Sequence, residues 1–210
     1  MRIAVLSDIH GNLPALDAVL AKLTPYDAIW QLGDIVGYGP LPNEVVARLA
    51  ADKATGVRGN HDSAAIGQLE TDSFNDDARA AVEWTAETIS AETKQWLEAL
   101  PLQMVDSSFT LVHGSPRDPT WEYIFTAETA RANMKKFQTS YCLVGHTHVP
   151  FVFVQGKGGR VDAAVATDDS VLDLDGTRII VNPGSVGQPR DGDPRASAMM
   201  IDTEASTIQW

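Results

Sequence analysis

Ile3-Ala4-Val5-Leu6-Ser7-Asp8-Ile9-His10-Gly11-Asn12 is the stretch from which the fold is read. Four apolar residues in a row, too few for a helix and without polar alternation, read as a strand covered on both faces. The run breaks into a polar loop carrying Asp8 and His10. Pro14 then opens a helix, with Leu16, Val19, Leu20 and Leu23 at helical spacing. The same order recurs downstream. Residues 28–32 read as a second buried strand, ending at Gly33-Asp34. Gly37, Gly39, Pro40 and Pro42 mark a loop, and Asn43 is placed to cap a helix over 44–50. Residues 54–57 read as a third strand, ending at Arg58-Gly59-Asn60-His61-Asp62. Strand, loop and helix in repetition indicate an α/β fold with a parallel sheet.

Residues 76–100 are rich in Ala and Glu, contain neither Gly nor Pro, and read as one or two helices stopped by Pro101. Strands are expected at 102–105 and 109–112 around a turn at Asp106-Ser107-Ser108, the second ending at His113-Gly114-Ser115-Pro116. A helix over 126–137 follows, then a strand over 141–144 ending at Gly145-His146-Thr147-His148. The remainder is β-rich, with strands at 151–154, 178–181 and 198–201 and a hairpin turn at 156–159. Trp30, Trp84 and Trp96 fall at apolar-face positions and are expected in the core. No repeat or linker divides the 210 residues, so residues 1–210 are taken as one domain.

Sixteen basic against 28 acidic side chains give a net charge of −12, which argues against an extended nucleic-acid-binding track. The N-terminal apolar run is too short for a signal peptide, and nothing approaches the ~20 apolar residues of a membrane span. The expectation is therefore no membrane association and a cytoplasmic location. The single Cys142, flanked by Tyr141, Leu143 and Val144, excludes an internal disulfide and reads as a small buried thiol.

Five separate strands end in a loop that holds His, Asp or Asn: Asp8 and His10, Asp34, Asn60 and His61, His113, and His146 and His148. All five histidines of the chain belong to this set. Singly, each is an ordinary loop or turn residue. Together they lie where open α/β sheets bind ligands, outside the carboxyl ends of the strands. Carboxylate, imidazole and amide ligands without thiolate suit Mn, Fe, Zn, Co or Ni. Seven such ligands serve two metals if one carboxylate bridges, at the roughly 3.5–4 Å spacing that two-metal hydrolysis uses. Two divalent ions, two aspartates and a bridging hydroxide sum to about +1, a local trap for phosphate in an acidic protein.

The motifs Asp8-x-His10, Gly33-Asp34, Gly59-Asn60-His61-Asp62, His113-Gly114 and Gly145-His146-Thr147-His148, in that order, resemble those of the calcineurin-like metallophosphoesterases. The stretch 182–190, Asn-Pro-Gly-Ser-Val-Gly-Gln-Pro-Arg, is similar to that of a small prokaryotic subgroup described as phosphodiesterases or diadenosine-tetraphosphatase-like proteins. The resemblance implies a four-layer α/β/β/α sandwich of two mixed β-sheets flanked by helices. It implies that Asp8, His10, Asp34 and His148 hold one metal, and that Asp34, as the bridge, Asn60, His113 and His146 hold the other, with Mn the expected ion. It gives His61 the role of protonating the leaving oxygen. The adjacent Asp62 either orients His61 or caps a helix starting near Ser63. The nucleophile implied is a metal-bridging hydroxide attacking phosphorus in line.

Substrate-contact candidates extend the set. Arg58 either grips phosphate, as a similarly placed arginine does in related protein phosphatases, or forms a surface ion pair. Tyr38 and Asn43 follow Asp34 and are candidates to line the pocket. Trp121 and Tyr123 either stack a nucleoside base or pack. Arg190 is placed to reach a distal phosphate, and residues 182–185 to set a tight turn beside the site. The expected activity is hydrolysis of small phosphodiesters or nucleotides. The alternatives are a phosphomonoesterase or protein phosphatase, and a non-catalytic interaction scaffold of the same fold.

Overall fold

A computed structural model describes all 210 residues. In chain order the elements are β1 (Arg2–Leu6), α1 (Leu13–Leu23), β2 (Ala28–Gln31), α2 (Pro42–Ala51), β3 (Thr55–Gly56), α3 (Asn60–Ala65), α4 (Asp76–Thr88), α5 (Ala91–Ala99), β4 (Gln103–Asp106), β5 (Phe109–Val112), α6 (Ala127–Asn133), β6 (Tyr141–Leu143), β7 (Phe151–Gln155), β8 (Val161–Val165), β9 (Val171–Asp173), β10 (Ile179–Asn182), β11 (Met199–Asp202) and β12 (Thr207–Gln209). They form two six-stranded sheets, ordered β3-β2-β1-β11-β12-β9 and β4-β5-β6-β10-β7-β8. Both are mixed. β1, β2 and β3 run parallel, as do β5, β6 and β10, and the remaining pairs are antiparallel.

The apolar runs explain the layering. In β1, Ile3 and Val5 face the second sheet, where they meet Leu111, Leu143 and Val181. Ala4 and Leu6 face outward onto Leu16 and Leu20 of α1 and Val45 and Leu49 of α2. A strand covered on both faces has no place for a polar side chain, hence the unbroken run. The outer face of the second sheet is covered by α6 and its flanks, where Cys142 and Ile180 pack on Ala130, Met134 and Phe137. Each such large side chain contributes about 1.5–3 kcal/mol when fully buried. The result is the four-layer sandwich.

Several local expectations change. β3 is two residues long rather than four, and a short helix, α3, begins at Asn60 itself. Of the one or two helices expected over 76–100 there are two, broken at Ile89 and restarted by Ser90, whose side chain caps Thr93 N–H. Asn43 does not cap α2. It lies inside the helix, donating to Thr88 O and accepting from Ser90 N–H, and so pins α2 to the α4–α5 link. Trp30 is buried and Trp96 packs on the core edge, but Trp84 is 43% exposed: it lies on the solvent side of α4, whose buried positions are Ala78, Val82 and Thr85.

Candidate metal centre

The parallel strands carry their ends to one edge of the sandwich, and there the loops lock together. Asp8 N–H donates to Gly33 O (3.1 Å), His10 N–H to Asp34 O (3.0 Å) and Gly145 N–H to His113 O (2.8 Å). Asp8, His10, Asp34, His146 and His148 all have positive φ, between 49° and 66°. That backbone bend turns each side chain back over the strand ends, in a region non-glycine residues seldom occupy.

Asp8, His10, Asp34 and His148 bring their ligand atoms within 4.8 Å of one another, and Asp34 does so again with His113 and His146. His113 Nε2 is also 3.1 Å from Asn60 Oδ1. All seven side chains are buried. The carboxylates divide their labour. Asp8 Oδ2 accepts from Ser7 Oγ and His146 N–H, while Oδ1 faces the cluster 3.1 Å from His148 Nε2 without accepting a hydrogen bond. Asp34 Oδ1 accepts from His61 N–H, and Oδ2 lies 3.4 Å from His113 Nε2 and 3.8 Å from His10 Nε2.

The imidazoles are oriented by backbone carbonyls, which can only accept. Nδ1–H of His10 donates to Val36 O (3.1 Å), of His113 to Leu32 O (2.8 Å) and of His148 to Gln188 O. The Nε2 atoms of His10 and His148 therefore turn lone pairs toward each other at 3.3 Å, and His113 Nε2 meets His146 Nδ1 at 3.1 Å. Facing lone pairs repel unless a cation sits among them, and ring N–H groups held by carbonyls are the usual second shell of metal-bound histidine. With the orphaned Asp8 Oδ1, this donor set fits two divalent ions sharing Asp34. Burial opposes protonation of His113, but Asp34 and Asp8 outweigh it and push its pKa up to about 9. Burial and the neighbouring His113 charge hold His146 down to about 3.

A cleft of about 80 Å³ opens onto the cluster. His61 lines it, as do Tyr38, Trp121, Tyr123 and Arg190. The His61 ring is held by aromatic neighbours, Tyr38 at 4.7 Å and Phe74 edge-on at 5.1 Å, and its Nδ1 has no hydrogen-bond partner. Gly37 makes room for it, since a Cβ there would come within 2.5 Å of Nδ1. Asp62 does not orient His61. Its carboxylate accepts from the N–H groups of Ile35, Val36 and Gly59, the last being the return arm of a capping box at the start of α3. Tyr123 lies face to face on His146 at 3.8 Å and stacks on Phe125 at 5.4 Å, so of the two expected roles, stacking a base or packing, its ring is engaged in packing. Arg58 is buried, its Nε unpaired, and Asn43 is turned toward Thr88 and Ser90; neither lines the cleft.

The C-terminal stretch supports the site from behind. Asn182 Nδ2 donates to Gly145 O (2.6 Å), and Ser185 Oγ donates to Asp8 O (2.8 Å). Phe74 was missed by the sequence reading. The signal available was its place directly before Asn75, the N-cap of α4, where an apolar residue often folds back onto the helix.

A two-sheet sandwich with a buried carboxylate–imidazole cluster at one edge defines a metal-dependent hydrolase. The chain belongs to the calcineurin-like phosphoesterase superfamily, whose domain model matches residues 1–206. It is 37% identical over 214 residues to an uncharacterised protein of Methanocaldococcus jannaschii, covering 99% of this chain and 85% of that one. It is 28% identical over 220 residues to the phosphodiesterase YfcE of Escherichia coli, covering 99% of this chain and 91% of that one. Among solved structures, a metallophosphoesterase from Sphaerobacter thermophilus superposes with a TM-score of 0.90 at 48% identity, covering 100% of this chain and 86% of that one.

Proposed function

We propose that this protein is a dinuclear phosphodiesterase acting on small phosphodiesters or nucleotides. The observation that carries the reading is the pair of ligand groups sharing Asp34 beneath a cleft that His61 lines. Asp8, His10, Asp34 and His148 would hold one ion, and Asp34, Asn60, His113 and His146 the other. Two such ions, with manganese the proposed metal, supply Lewis-acid stabilisation of phosphoryl oxygens and a water acidic enough to attack near neutral pH. His61 donates the proton that lets the leaving oxygen depart, the task imidazole suits near neutral pH. Tyr38 and Phe74 fix the plane of its ring. Arg190 sets a positive charge at the mouth of the cleft. No helix is long and apolar enough to cross a membrane, and the proposed compartment is the cytoplasm.

The test is turnover by metal-stripped protein reloaded with Mn²⁺, run on bis-p-nitrophenyl phosphate, p-nitrophenyl phosphate and a dinucleoside tetraphosphate, with His113→Ala as control. The expected result is metal-dependent hydrolysis, lost in the control and fastest on the diester. Faster turnover of the monoester would assign a phosphomonoesterase instead. Silence across divalent ions, with metals bound, would favour a non-catalytic scaffold.

A further inference from the structure

A second groove opens on the other side of Tyr38. It holds about 330 Å³, against about 80 Å³ in the cleft. Tyr38 is the one residue that lines both. The dividing wall continues through Gln188, on the groove side, and Arg190, on the cleft side; the Arg190 guanidinium donates to Gln188 Oε1 at 2.6 and 3.2 Å. The two spaces meet at the buried cluster. His10 lines the groove, His148 lines the cleft, and their Nε2 atoms are 3.3 Å apart.

Their chemistry differs. The cleft has aromatic walls and the cation of Arg190. The groove is lined by no Asp, Glu, Lys or Arg. Much of its wall is backbone, because Gly11, Gly39 and Gly187 present no side chain there. Gly39 is obligatory, since a Cβ would collide with His10 O. The N–H groups of these glycines are already donated within the protein, Gly11 to Ile35 O, Gly39 to His10 O and Gly187 to Asp8 O. The groove therefore offers a ligand carbonyl oxygens and the side-chain NH2 groups of Asn12 and Gln188, partners for hydroxyl groups and, being rich in acceptors, unsuited to anions.

Tyr38 is held in place at a cost. Its φ is +58°, the same left-handed region that five of the metal ligands occupy. Glycine stands on either side of it and would adopt this φ without strain, so the backbone alone does not call for a tyrosine here.

Resting on the phosphodiesterase reading above, we propose that the groove is the subsite for the second arm of a phosphodiester, an uncharged hydroxylated arm of sugar or nucleoside type. Tyr38 and the Gln188–Arg190 pair separate this arm from the one in the cleft. A monoester whose single arm is the leaving group, such as p-nitrophenyl phosphate, has nothing to place in the groove.

The test compares thymidine 5′-(p-nitrophenyl phosphate) with p-nitrophenyl phosphate, which share a leaving group and differ only in the second arm. Pro40, exposed at the groove rim, is replaced by Trp to fill the groove; Ala47→Trp, exposed on α2 away from it, is the control. In Pro40→Trp the diester-to-monoester ratio of kcat/KM should fall about ten-fold, mainly through KM, which is the loss of a modest share of a nucleoside's contacts. The Ala47→Trp ratio should match the parent. A ratio unchanged in Pro40→Trp overturns the proposal. Calorimetric binding of thymidine 5′-monophosphate against inorganic phosphate supplies a reading independent of turnover. The nucleotide should bind more tightly than phosphate to the parent protein, and Pro40→Trp should erase the difference. Equal binding of the two by the parent protein also overturns the groove. If the parent hydrolyses neither ester, the phosphodiesterase reading fails, and the binding comparison still decides the groove.

Discussion

Asp62 is fully buried, and one carboxylate ties two ligand-bearing segments together. Oδ1 accepts from Ile35 N–H (2.8 Å) and Val36 N–H (3.0 Å), in the loop that carries Asp34 and Tyr38. Oδ2 accepts from Gly59 N–H (3.0 Å), at the turn that presents Asn60 and His61. Asp62→Ala orphans three buried donors. At about 1–3 kcal/mol each, and less than additive, the loss is on the order of 3–6 kcal/mol. That is a large part of the ~5–15 kcal/mol that holds a domain folded. Asp62→Asn is a different perturbation. Its amide oxygen keeps the Ile35 and Val36 bonds, but its NH2 faces the Gly59 donor. Against that loss of about 2 kcal/mol stands a relief. Burial, then the Asp34 charge, push the Asp62 pKa from 3.8 up to about 6, and a shift of about two units costs the charged form about 3 kcal/mol. The two nearly offset, so Asp62→Asn should lie within about 2 kcal/mol of the parent near neutral pH. The sign of the pH dependence follows. A carboxyl whose folded pKa is raised contributes stability below its unfolded pKa and loses it as pH rises through the folded value. The parent should therefore lose ground to Asp62→Asn between pH 3.8 and about 6. Urea unfolding of the metal-free proteins at acid and neutral pH measures both effects. Asp62→Ala unfolding within about 1 kcal/mol of the parent would refute the clamp. So would a metal-loaded Asp62→Asn that keeps its stability but loses turnover as completely as His61→Ala, because that is the signature of a catalytic role.

His61→Ala should retain both metals by metal analysis and slow turnover most for esters with poor leaving groups; loss of metal in this variant would remove His61 from the acid role. Asp34→Asn should weaken both metal sites together, because Asp34 belongs to both ligand groups, and metal titration that still finds two tight ions would argue against sharing. Cys142 is fully buried, and burial pushes its thiol pKa far up, so it should react with a disulfide reagent only on unfolding; reaction of the native protein at the rate of a free thiol contradicts its place beneath α6. His10→Gly should be more stable than His10→Ala by about 1 kcal/mol in metal-free protein, since φ is +49° there and only Ala bears the strain.

The strands and the loops that end them were legible because short, largely apolar runs give way to Asp, His and Asn, a local pattern. Three things were not. The division into two sheets came with the family resemblance and not from local pattern, because it depends on long-range pairing, such as β1 against β11 and β6 against β10, which no window around either strand records. The role of Asp62 was written ambiguously, because an acid three residues after Gly59 can cap a helix or face a histidine, and only the positions of Ile35 and Val36 N–H decide. Trp84 was misplaced because α4 buries a narrow stripe of small residues, and an Ala-rich helix gives apolar periodicity little contrast.

The strain at the site connects these observations. Ten non-glycine residues have positive φ, and six of them, Asp8, His10, Asp34, Tyr38, His146 and His148, lie at the cluster. The left-handed conformation costs roughly 1–2 kcal/mol per residue, so the six together set several kcal/mol against folding. Backbone bonds between the loops, from Asp8 to Gly33, His10 to Asp34 and Gly187 to Asp8, over-determine the geometry and hold it. The frame is thus bent by the protein's own loops, with the facing imidazoles at 3.1–3.3 Å. Metal binding should stabilise this protein, because ions held by the folded chain and not by the unfolded one add their binding free energy to folding. Tyr38 shares the strain without donating to the cluster, which is the observation behind its proposed place as the wall between cleft and groove.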